Sequence, residues 1–139
     1  MSRIFETDKD IANLVEERFS ATGLDTIGLN LRVMSVTKQR DVVKANKATD
    51  ATEFLIDTHG TVQVFVYEGV FSTLDEETQK FLIDMALSNI SYNSEKDKIV
   101  VESNPYVSLF GMRKKFGDRA DELLEASYLA IKQFEDKNS

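Results

Sequence analysis

Between Phe81 and Ile90, seven of ten residues are apolar: Phe81, Leu82, Ile83, Met85, Ala86, Leu87 and Ile90. A helix lying on a protein surface needs an apolar stripe only about 100° wide, so a helix this rich in apolar residues has to be covered on more than one side. Ser72 and Thr73, each followed three residues later by an acid (Asp75 and Glu76), form two overlapping capping boxes before it. They predict a helix over residues 74–90, the most buried in the protein. A chain of 139 residues can supply the cover, because a domain of this size buries roughly 70% of its unfolded surface. With no internal repeat and no linker, residues 1–139 read as a single globular domain.

The remaining segments suggest what packs around that helix. After a short MSRIFE lead, Thr7 and Asp8 can cap a helix in which Ile11, Leu14, Val15, Arg18 and Phe19 recur at three- and four-residue intervals, ending at Gly23. Residues 27–36 alternate, with Ile27, Leu29, Leu31 and Val33 on one face, as a half-buried strand does. The locally basic KQRDVVKANK, with Lys38, Arg40, Lys44 and Lys47 against Asp41, suits a strand or a short helix and is taken as an edge strand. Strands over 52–57 and 61–68 would form a hairpin through Thr58-His59-Gly60. In the second of these, Val62, Val64 and Val66 alternate with Gln63, Phe65 and Tyr67, predicting a central strand in a sheet covered on both sides. A polar turn over 91–98 leads to Ile99-Val100-Val101. Asn104-Pro105 starts a helix that Gly117 closes. Asp118 caps a last helix with the stripe Ala120, Leu123, Leu124, Tyr128, Ile131 and Phe134. The fold class is therefore α+β: a mostly antiparallel sheet of about four strands packed by four helices, with the 74–90 helix lying centrally against it.

Composition narrows the chemistry. The absence of Cys removes disulfides, thiolate nucleophiles and cysteine-ligated metals, and suits a reducing compartment. A single His, His59, removes two-histidine metal sites. No G-x-S-x-G elbow or phosphate-cradling glycine loop occurs. Asn93, Glu95 and Asp97 alternate like the start of a calcium loop, but Lys98 stands where the tight-turn glycine is wanted, so a solvated turn is expected. No cofactor and no catalytic residue is predicted. The net charge of −7 opposes direct binding to nucleic acid or an anionic membrane. The opening MSRIFETDKD has no apolar stretch of the kind a secretory signal carries, so a cytoplasmic protein is expected.

The order of features from Tyr67 to Phe110 (hydrophobic strand, acidic loop, buried helix, polar loop) resembles that of the zincin-like metallopeptidases encoded by phages and bacteria. Their buried helix bears H-E-x-x-H. Met85 and Asn89 stand here where the two histidines would be, and Ala86 where the glutamate would be. The resemblance thus implies a degenerate zincin-like core without metal, a pseudoenzyme, since a thioether, an amide and a methyl cannot hold zinc and activate its water. A simple buried helix with a polar Asn89 explains the same residues. A divergent peptidase using Asp84, Glu68 and His59 is the enzyme alternative. An acidic mimic of nucleic acid is a third reading, weakened by the Lys and Arg interleaved among the acids.

Arg113, Lys114, Lys115 and Arg119 form a basic island on this acidic chain. Cations near a helix C-terminus complement its dipole without any partner, and a partner-binding role is the alternative. R-I-F-E-T-D-K-D-I near the start and the later L-N-L-R-V-M-S-V-T-K give the chain a general likeness to the small early proteins of T4-type bacteriophages that bind host RNA polymerase core. That resemblance implies a non-enzymatic transcription factor acting by protein–protein contact in the host cytoplasm. It identifies neither the contact residues nor the oligomeric state.

Overall fold

The computed structural model describes residues 2–48, 60–96, 98–102 and 105–138, with the backbone alone at 105–108. In chain order the elements are β1 (Ile4–Glu6), α1 (Lys9–Thr22), a 3-10 turn (Leu24–Ile27), β2 (Asn30–Val36), β3 (Val43–Lys47), β4 (Thr61–Tyr67), α2 (Glu68–Phe71), α3 (Glu76–Leu87), β5 (Ile90–Asn93), β6 (Lys98–Val101), α4 (Pro105–Phe116) and α5 (Arg119–Lys137). The fold is α+β. Four strands form one sheet in the order β1-β2-β4-β3, and β5 and β6 form a separate hairpin. β1 and β3 run antiparallel to their neighbours, whereas the central pair β2 and β4 is parallel, with Asn30 opposite Thr61 and Val36 opposite Tyr67. The chain leaves β2, passes over the slot beside it to lay down β3 at the far edge, and fills the slot with β4. The predicted hairpin partner at 52–57, with its turn residues Thr58 and His59, lies outside the described residues.

Local chemistry explains where elements begin and end. The Asp8 carboxylate accepts the Asp10 N–H at 3.2 Å and caps α1, and Gly23 closes it with φ of 81°. β2 starts at Asn30 rather than 27, because the 3-10 turn and Gly28 at φ 91° break the extended run and leave Ile27 41% exposed. α3 is capped by Asp75, which accepts the Thr78 N–H at 2.9 Å. Neither Ser72 nor Thr73 does this: both lie at the exit of the single turn α2, where the Thr73 hydroxyl donates to the Val70 carbonyl. Among the described residues, that turn is a fifth helix beyond the four predicted. α3 also stops at Leu87, short of Ile90, which opens β5. The polar turn at 91–98 is thus mostly strand, its tip closed by the Asn93 side chain accepting the N–H groups of Glu95 and Lys96. β1 escapes sequence reading because all three of its residues are exposed. Asp118 precedes α5 in helical conformation without a side-chain cap bond. Within α5, Tyr128 is exposed and Ser127 is buried, its hydroxyl turned back to the Leu124 carbonyl.

The sheet is buried fully on one face. Val62, Val64 and Val66 are sealed from solvent, while Gln63 and Phe65 between them stay half-buried and Arg32 and Lys44 beside them are exposed. Cover on both faces was expected; the opposite face is covered in part, with Val36 and Tyr67 buried there and its middle left half-buried or exposed. α1 and α3 pack together against that side. α3 contributes Leu82, Ile83, Ala86 and Leu87 to this main core, and Phe81 to a second cluster with Met112, Ala120 and Leu123 of α4 and α5. Phe81 meets Phe116 edge to face at 5.3 Å. Serving two cores is why this helix is apolar nearly all round.

α5 reaches the sheet through Phe134, which stands edge to face with Tyr67 at 5.8 Å and lies over Gly69. A Cβ at residue 69 would come within 2.5 Å of the Phe134 ring. Gly69→Ala is therefore expected to destabilise the protein by about 1–3 kcal/mol, the usual cost of overpacking. In urea titrations its effect should be less than additive with Phe134→Ala, which removes the ring it strikes.

Candidate functional site

Asp84 is the one charged side chain buried on α3. Its carboxylate accepts the Arg18 Nε–H at 2.7 Å, a second bond from Arg18 Nη2, and the Lys115 Nζ–H at 2.8 Å. One acid thereby ties α1, α3 and α4 together. Burial pushes the Asp84 pKa up, but the hydrogen bonds and charges of Arg18 and Lys115 together outweigh it, and the net shift is below the ordinary 3.8. The sequence carried a signal for this: Arg18 occupies a position in the apolar stripe of α1, and Asp84 interrupts the apolar run of α3. Cation and anion each needed a buried partner.

A groove of about 380 Å³ opens between β3, α3, the end of β6 and α5. Leu82, Met85, Ala86 and Leu124 give it an apolar lining, and Arg40, Lys44 and Glu102 add charge. The Tyr128 hydroxyl donates to Asp41 at 3.1 Å across one side. Burial, then the Asp41 charge and hydrogen bond, raise the Tyr128 pKa above 10.0. β3 is the edge strand its sequence suggested, and the ladder fixes which way it faces. Tyr67 N–H donates to the Val42 carbonyl at 2.8 Å, and Ala48 N–H to the Thr61 carbonyl at 2.9 Å. In an antiparallel pair such residues alternate, so Val43, Ala45 and Lys47 turn their main-chain N–H and C=O groups away from β4. Among the described residues, no backbone bond closes on them.

Met85, Ala86 and Asn89, the positions aligned with the zincin motif, all line this groove. Asn89 stands past the end of α3, its N–H on the Ala86 carbonyl at 3.3 Å, so the four-residue helical spacing from Met85 is not kept. Glu68, expected to act with Asp84, has other partners: it accepts the Asp8 N–H at 2.8 Å and the Ser35 hydroxyl at 3.1 Å. His59 lies outside the described residues. Among the described residues, no three His, Cys, Asp or Glu side chains converge as metal ligands.

The basic island is engaged within the protein. Arg113 pairs with Asp121 at 3.0 Å, Lys115 with Asp84, and Arg119 with Glu77, while Lys114 sits 4.8 Å over the Phe110 ring. These contacts dock the C-terminal end of α4 and the start of α5 onto α3. No local pattern in the residues shows that Glu77 and Asp84 of α3 and Asp121 of α5 meet these cations.

Among the described residues, no helix is long and apolar enough to cross a membrane. Compared with protein-family models, curated proteins and solved structures, the chain matches none. The Asp84 cluster makes a direct prediction. Asp84→Asn leaves two cations around a neutral group; because Lys115 is half-exposed, urea unfolding near neutral pH should show a loss of about 2–3 kcal/mol, at or below the low end for broken buried pairs. A depressed folded pKa gives stability that is present above 3.8 and fades as pH falls below it. The gap between wild type and variant should narrow over that acidic range.

Proposed function

We propose that the protein is a non-enzymatic binding module that acts by protein–protein contact, with host bacterial RNA polymerase core as its partner and modulation of transcription as the result. The groove beside β3 carries this reading. It combines an apolar lining, exposed charge and an open strand edge, the means by which proteins hold other chains. The carboxylates that an enzyme reading would use support the same conclusion, because Asp84 is committed to Arg18 and Lys115, and Glu68 to Asp8 and Ser35. The identity of the partner comes from the likeness of the R-I-F-E-T-D-K-D-I and L-N-L-R-V-M-S-V-T-K segments to the phage polymerase-binding proteins. The net charge of −7 favours approach to a basic surface on a large assembly.

Purified protein mixed with bacterial RNA polymerase core should co-elute on a sizing column at modest salt. Separate elution at every salt concentration rejects the named partner.

A further inference from the structure

Among the described residues, β3 ends the main sheet, and its outward main-chain groups face the groove rather than a neighbouring strand. β6 comes within 8 Å of β3, Cα to Cα, yet shares no ladder with it. A paired strand would lie at about 4.8 Å, so β6 does not complete the sheet. Unpaired N–H and C=O groups on such an edge are a template for another chain. The adjoining cavity, near the lower limit of about 300 Å³ for ligand sites, suits a side chain rather than a folded surface.

Charge identifies the kind of chain. Arg40 and Lys44 are exposed at the groove, and among the described residues neither takes part in an ion pair or side-chain hydrogen bond. Lys47, exposed at the far end of β3, is equally uncommitted. Arg113, Lys115 and Arg119, by contrast, hold acids of their own chain. Asp41, the acid nearest in sequence, already accepts from Tyr128. Asp41 and Glu102 also line the groove, so the basic excess lies along the 40–47 segment itself, where Arg40, Lys44 and Lys47 outnumber Asp41, and beyond about 8 Å physiological salt screens the rest of the charge.

We propose that an acidic, extended segment of the partner protein adds to β3 as a further strand. Its main chain pairs with Val43 and Ala45, an apolar side chain enters the groove over Leu82 and Met85, and its carboxylates meet Arg40 and Lys44. This assignment rests on the protein-binding reading and says which surface performs it. An interposed strand needs about 9.5 Å between its two neighbours, so the β5–β6 hairpin moves outward to admit it. The hairpin packs Ile90 and Ile99 into the main core, so it must shift while keeping those contacts.

The test uses the full chain and a labelled short peptide of alternating Glu and Val, followed by fluorescence anisotropy, with a Lys-Val peptide as control. The Glu-Val peptide should bind saturably and the Lys-Val peptide should not. Arg40→Glu with Lys44→Glu should weaken binding by roughly tenfold or more. Val43→Pro, which removes one outward N–H and leaves the ladder to β4 intact, should weaken it with the circular dichroism spectrum unchanged. Equal binding of both peptides, no binding of either, or indifference to these substitutions overturns the strand-addition proposal. The same variants on the sizing column separate the two levels. If wild type and the double variant both co-elute with polymerase core, the edge assignment falls while the partner stands. If the Glu-Val peptide binds as expected but wild type does not co-elute, the edge assignment stands and the partner falls.

Discussion

The second half of α3 is buried nearly all round, which leaves no room there for an uncompensated charge, and it carries Asp84. Asp84 is buried on the same stretch of helix as Phe81, Leu82, Ile83 and Leu87, where an isolated ion would cost several kcal/mol. Arg18 from α1 and Lys115 from α4 neutralise it. This requirement orders much of the molecule. α1 must approach α3 at a fixed register for the guanidinium to reach, and α4 must return its last turn to the same place. The two hydrophobic cores supply the bulk of the favourable burial, while the shared carboxylate sets how the three helices meet.

How far the fold could be read from the residues followed the reach of the interactions involved. α1, α3, α4 and α5 announced themselves through caps, glycines and periodic apolar positions, and β4 through its alternating valines, because all of those signals lie within a few residues. The start of α3 was misjudged since Ser72 and Thr73 have a competing duty at the exit of α2, which only the path of the chain reveals. β1 has no buried residue to betray it, and the parallel pairing of β2 with β4 depends on where β3 is set down. The groove was the least legible feature, since its walls come from β3, α3, β6 and α5. Even so, the basic character of the segment around Arg40 and Lys44 was visible, as were the odd positions of Arg18 and Asp84.

The two groups of cations illustrate how placement decides meaning. Arg113, Lys115 and Arg119 formed the more conspicuous cluster in the sequence, and each is spent within the protein, Arg113 joining α4 to α5 and Lys115 and Arg119 holding α4 and α5 against α3. Arg40, Lys44 and Lys47 drew less notice and remain uncommitted at a sheet edge. A cluster of like charge in a sequence therefore identifies a surface only after its internal partners have been found.

An uncapped strand in a concentrated cell carries the hazard of aggregation, since copies of one protein can zip together along such borders. Arg40, Lys44 and Lys47 bear on this directly. Two identical chains meeting border to border would bring these cations against their own counterparts, and the net charge of −7 adds a general repulsion between whole molecules. The open border is thereby guarded against its own kind while staying accessible to a chain of opposite sign.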